Sequence, residues 1–199
     1  MKILLRARHW QLFCVAIGIP FLLYIIMLTF AVSVVNKGVL PVNNSFLIMM
    51  RVYPFIFFLA LGTQLAWMWS VTTSLQARLR PSLRMDMRYL GPALLTPALI
   101  LFGSGIFMFN MISPYHGLNS AVLSPFIVPV LLVVQVVFLA CTFYAYYVTS
   151  KTIKTYELQQ KPAISDYTGE FVLVWFFFIG VWLLQPRINA WYEETEALV

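Results

Sequence analysis

The chain has 199 residues, of which 61% are hydrophobic, 17% aromatic and 10% charged, with a mean hydropathy of +0.85 and a formal net charge of +6 at pH 7. Soluble domains carry about 25% charged residues, so this composition cannot cover a water-facing surface and excludes an ordinary soluble domain. The apolar runs are long and continuous rather than alternating, which excludes a lipid-facing β-barrel and selects helices, whose backbone groups bond internally where lipid offers no partner.

In chain order, residues 1–9 carry Lys2, Arg6 and Arg8 ahead of an apolar run over about residues 10–35. That run is too long for the apolar region of a signal peptide and lacks a small-residue cleavage site. It is expected to be a retained first span, with Trp10 at the interface. Pro20 should bend it or free a carbonyl. Residues 36–50 read as a loop through Lys37, Gly38, Pro41, Asn43 and Asn44, with a short interfacial helix over residues 46–50. A second span is expected over residues 52–74, where Gly62 and Ala66 form a small-xxx-small pair that permits close helix approach.

Residues 76–88 are the most basic loop, with Arg78, Arg80, Arg84 and Arg88 against Asp86. The positive-inside bias makes this a cytoplasmic loop facing anionic headgroups, with a soluble acidic partner as the other reading. The patch is short and lacks interleaved aromatics, so nucleic acid is not an expected partner. A third span over residues 89–112 contains Pro92, Pro97, Gly103, Ser104 and Gly105. An ordinary kink is the first reading of that irregularity and a substrate-lining break the second. An uncharged loop over residues 113–120 leads to a fourth span over residues 121–149, which ends in Phe143, Tyr144, Tyr146 and Tyr147. The helix should continue toward Gln160, since no breaker precedes Pro162, and Lys154 and Glu157 are i,i+3 neighbours on it.

The fifth segment is the ambiguous one. Ser165 or Asp166 can cap its start, and Glu170 suits the positive end of the helix dipole. Residues 171–184 are wholly apolar, yet as a helix they reach only about 21 Å, short of a hydrocarbon core of about 30 Å. Either the helix runs on through Gln185, Pro186 and Arg187 to Tyr192, or the segment is re-entrant. The straight span over residues 171–192 is the expectation, because Trp191 and Tyr192 suit a far-side aromatic belt. It would put Glu170 and Arg187 about 25 Å apart along one helix, too far to pair. The acidic tail from Glu193 is expected to fray. With five spans and a cytoplasmic N-terminus, Lys2, Arg6, Arg8, the four loop arginines, Lys151, Lys154 and Lys161 lie inside, and Lys37, Arg51 and Arg187 outside.

No catalytic constellation emerges. His9 and His116 fall on opposite sides of the bilayer, and Cys14 and Cys141 sit in separate apolar runs as small hydrophobes. No zinc-protease, nucleophile-elbow or phosphate-loop motif occurs. The expectation is therefore a non-enzyme without cofactor or metal. The amides at depth, Gln64, Asn110, Gln135 and Gln185, are expected to bridge helices, each contributing about 0.6–2 kcal/mol. The expected partner or lipid face consists of Arg78, Arg80, Arg84, Arg88, Lys151, Lys154, Glu157, Asp166 and Glu170.

Three stretches carry a resemblance: Lys151-Thr-Ile-Lys154-Thr-Tyr-Glu157-Leu, Asp166-Tyr-Thr-Gly-Glu170-Phe, and Trp182-Leu-Leu-Gln185-Pro-Arg187-Ile-Asn189. Together with His9-Trp-Gln-Leu-Phe13 and Gly18-Ile-Pro20 near the start, they resemble an uncharacterised group of small polytopic bacterial membrane proteins. The resemblance implies no activity. The chain is thus read as one all-α integral membrane bundle of about five transmembrane helices in a bacterial cytoplasmic membrane, N-terminus cytoplasmic. It is expected to be an accessory or scaffold subunit that acts through its cytoplasmic loops, in contact with the lipid bilayer, a membrane or cytoplasmic protein, or a second copy. The rival expectation is a permease or transporter subunit working as an oligomer or with an ATPase.

Overall fold

Apolar segments that must satisfy their own backbone form helices, and helices make up nearly all of what the computed structural model describes. It describes Leu5 and residues 7–36, 44–113, 117–118 and 127–196. Helix α1 (His9–Phe13) runs through a π-helical turn (Cys14–Gly18) into α2 (Ile19–Asn36). The π turn answers Pro20. The proline offers no N–H to Ala16, and the register slips by one residue, so that the Ile19 N–H bonds the Cys14 carbonyl. Helix α3 (Asn44–Arg78) absorbs both the expected interfacial turn and the second span. A 3₁₀ turn (Pro81–Leu83) then leads to α4 (Leu90–Met111). Pro92 falls in the first turn of α4, where a missing N–H costs nothing, and the helix runs unbroken past Pro97 and Gly103. Two-residue strands β1 (Ile112–Ser113) and β2 (Gly117–Leu118) pair antiparallel in the loop that follows.

Helix α5 (Ile127–Leu158) continues past the fourth span and stops at Gln159, whose positive φ of 53° ends the helix two residues ahead of Lys161 and Pro162. The expected start of that span, before Ile127, lies outside the described residues, as do His116 and the side chain of Asn110. Among the described residues, four helices are long and apolar enough to cross a membrane.

The fifth segment departs from the straight helix. It forms α6 (Ile164–Trp175) and α7 (Phe177–Glu196), which are bent by 118° at Phe176. The turn is enforced by packing. An added Cβ at Gly180 would stand 1.8 Å from the Leu173 carbonyl oxygen, so only glycine lets the two arms come this close. The N-cap of α6 is Ala163, not Ser165 or Asp166. Asp166 instead sits at the third helical position and accepts the Ala163 N–H at 2.8 Å. The tail is helical through Glu196 rather than frayed from Glu193.

Both arms of the hairpin end where α3 and α5 end. Arg78 stacks over the Tyr192 ring at 3.7 Å, and Tyr156 meets Trp191 with ring centroids 5.1 Å apart. The buried core follows the hairpin, with Trp67, Met68, Val71 and Leu75 of α3 packed near Ile153 of α5 and Val174, Val181, Leu184 and Ile188 of the two arms. In the other half of the molecule the large side chains of α2 and of the first half of α5 are exposed.

Candidate functional site

Two features could carry function, and the hairpin builds both. The first is a seam of buried polar side chains. In an apolar interior each must be paired, and among the described residues no buried side-chain nitrogen or oxygen lacks a partner. Gln64 of α3 donates from Nε2 to the Val174 carbonyl at 2.9 Å and to the Tyr146 hydroxyl at 3.4 Å. Val174 lies in the last turn of α6, beyond the Val172 carbonyl that accepts the capping Phe176 N–H. Gln64 therefore supplies the donor that the hairpin tip lacks.

Closer to the charged end, Trp67 Nε1 donates to Gln185 Oε1 at 2.7 Å. Gln185 Nε2 in turn reaches the Ala7 carbonyl at 3.0 Å, the Leu5 carbonyl at 3.3 Å and Asn189 Oδ1 at 3.0 Å. One amide thus ties α3, α7 and the backbone at Leu5 and Ala7 together. The seam continues with Thr72 donating to Thr149 at 3.0 Å. Gln76 donates to Thr152 at 3.0 Å and accepts the Met85 N–H at 3.1 Å, which fixes the basic loop to the bundle.

The second feature is the charged end. Glu170 is buried, its side chain 8% exposed, with Lys154 Nζ at 3.4 Å and Arg187 at 3.7 Å from the same carboxylate oxygen. Lys154 also bonds Glu157 at 2.9 Å. The separation expected for Glu170 and Arg187 is thereby corrected: the hairpin carries Arg187 back to the end where Glu170 starts. Lys151 donates to the Tyr147 hydroxyl at 2.9 Å.

The loop arginines are not equivalent. Arg84 donates from Nε to the Leu79 carbonyl and from its terminal nitrogen to the Ala77 carbonyl, both at 3.0 Å, closing the C-terminus of α3. Arg78 stacks on Tyr192. Arg88 grips Asp86 at 2.7 Å, and hydrogen bonds from the Arg88 side chain and backbone hold the Asp86 carboxyl below its ordinary value of 3.8. Arg80 and Lys161 are exposed.

Of the amides expected to bridge helices, Gln64 and Gln185 do so and Gln135 does not. Gln135 is exposed on α5 and makes no hydrogen bond among the described residues. Sequence reading missed Trp67, Tyr146, Thr72, Gln76 and Gly180. A period-3.6 polar stripe on α3, at Gln64, Trp67, Thr72 and Gln76 among apolar neighbours, was a signal for most of them. Gly62, read as a close-packing position, meets nothing within 4 Å of an added Cβ. It lines an apolar groove of about 1510 Å³ between α1, α3 and α4, alongside Val15, Phe58, Trp69 and Leu95. Among the described residues no three His, Cys, Asp or Glu side chains converge to hold a metal.

No family model matches the chain, and neither does a curated protein or a solved structure.

Proposed function

We propose that this chain is a non-enzymatic membrane subunit that presents one charged end, on the cytoplasmic side of a bacterial membrane, to a partner protein and to anionic headgroups. The observation that carries the reading is the return of the hairpin. With Arg187 beside Glu170, every Lys, Arg, Asp and Glu from Arg78 to Glu193 belongs to the same end of the bundle. Moving Arg187 to the inner set strengthens the positive-inside asymmetry that supports a cytoplasmic N-terminus. The charged end is also braced, since Gln76, Arg84 and Glu170 hold its loops in place. The resemblance of the Lys151–Leu158 and Trp182–Asn189 stretches to small polytopic bacterial membrane proteins agrees with the assignment of the membrane.

The test uses the two exposed cations that brace nothing, Arg80 and Lys161. Full-length protein carrying Arg80→Glu and Lys161→Glu should purify as a folded, monodisperse particle that has lost a stoichiometric partner retained by the wild type. A wild type without any such partner, or a variant that keeps it, overturns the reading.

A transporter subunit is the second reading, and the bent hairpin favours it, since non-helical turns at membrane depth often line a path. Against it, Gln64 and Gln185 are engaged with internal partners, and the described lining of the apolar groove carries no charge. Currents across planar bilayers that Gln64→Leu reduces would move the assignment to transport.

A further inference from the structure

The first half of α5 carries a polar group in an unusual place. The hairpin meets this helix at Phe143, whose ring lies 5.3 Å from that of Trp175. Gln135 lies about 12 Å further along the helix axis, well within the apolar run that begins at Val128. It is exposed, and its amide makes no hydrogen bond among the described residues. Val128, Leu132 and Leu139 share its face at spacings of three, four and seven residues, and they are 55%, 63% and 43% exposed. Packing against α4 does not account for this face, since Val134 and Phe138, the partly covered positions, lie to one side of it.

An amide left in hydrocarbon has no water to bond, and amides so placed drive helices together. A second copy of this chain is the one partner bound to present a matching group. Two copies inserted with the same topology run their α5 helices parallel about a two-fold axis normal to the membrane, so each Gln135 meets its counterpart at equal depth. Glutamine is self-complementary: Nε2 of one donates to Oε1 of the other, and the reverse. We infer that the chain forms a symmetric dimer through the Val128, Leu132, Gln135 and Leu139 face of α5, with the paired Gln135 amides at its centre. This does not depend on the docking role of the charged end.

The test is the dimerisation equilibrium in vesicles of phosphatidylcholine and phosphatidylglycerol, read by single-molecule photobleaching across dilution of protein in lipid. The wild type should dimerise reversibly. Gln135→Leu, which leaves the helix more apolar and its fold intact, should weaken the dimer about 3- to 20-fold. With Cys14 and Cys141 replaced by serine, single cysteines at Leu132, Gln135 and Leu139 should cross-link between copies, and cysteines at the equally exposed Val133 and Val137 on the opposite face should not. A monomer at every dilution, an unchanged dimer in Gln135→Leu, or cross-linking that favours Val133 and Val137 would overturn the inference.

Discussion

Arg187 lies 3.7 Å from the buried carboxylate of Glu170, a residue that a straight helix would hold about 25 Å away. The contact closes the α6–α7 hairpin and adds to a cluster already tied by Lys154 at 3.4 Å. The two pairs differ in exposure, since the Arg187 side chain is 45% exposed and that of Lys154 is 20%. Double-mutant cycles on thermal unfolding in detergent should therefore give Glu170 and Arg187 a coupling below about 1 kcal/mol, with a larger value for Glu170 and Lys154. The reverse order would mean that the salt link to α7 carries the closure.

Gly180→Ala should be the most damaging glycine-to-alanine change among the described glycines. Its Cβ would stand 1.8 Å from the Leu173 carbonyl oxygen, a backbone atom that yields only if the arms part. A loss of about 3 kcal/mol or more is expected. Gly169→Ala, where an added Cβ meets nothing within 4 Å, should be neutral or stabilising by up to about 1 kcal/mol. Denaturant unfolding in micelles distinguishes the two, and equal effects would show that the close approach is not what shapes the turn.

Gln185→Leu removes the acceptor of Trp67 Nε1 and the donor to the Ala7 carbonyl together. Leaving the indole N–H buried and unpaired should cost about 1–3 kcal/mol. The more telling readout is local: hydrogen exchange over residues 7–12 should accelerate while that of α3 near Leu75 stays protected. Unchanged exchange at the N-terminal end would mean that the contacts of His9 and Phe13 with Trp182, at 4.7 and 5.5 Å between ring centroids, and the Asn189 bond to the Ala7 carbonyl suffice to anchor it.

Arg84 and Arg80 should separate cleanly. Arg84→Ala frees the Leu79 and Ala77 carbonyls at the end of α3 and should lower stability by about 1 kcal/mol. Arg80→Ala, at an exposed position, should stay within about 0.5 kcal/mol. A scan that pools all four loop arginines would confuse a brace with a docking group.

The Asp86 carboxyl, held below 3.8 chiefly by the Arg88 side-chain hydrogen bond, sets a small pH dependence. Because its folded value is depressed, the contribution to stability is present above the ordinary carboxylate range and fades as pH falls through the lowered value. NMR titration of the wild type should find Asp86 below its usual range, and Arg88→Ala should return it there. The pair is exposed, so salt should shrink the difference.

Sequence alone determined the class of this protein. Continuous apolar runs in a chain with 10% charged residues can satisfy their backbone only as membrane helices, and the four long helices lie close to where hydropathy put them. It also marked Gln64 and Gln185 as polar groups at depth. The fifth segment was undetermined for a definite reason. A run of about 21 Å fits a membrane either as part of a longer tilted helix or as one arm of a hairpin, and hydropathy is the same for both. The choice rests on contacts between residues distant in sequence: Gly180 against the Leu173 carbonyl, Gln64 on the orphan carbonyl of Val174, Gln185 on Trp67 and Ala7. Helix association in lipid gains little from hydrophobicity and depends on close backbone approach and paired polar groups. Those are properties of the assembled bundle, and the same accounting, applied to the position on α5 that the bundle leaves unpaired, distinguishes Gln135 from its two buried counterparts.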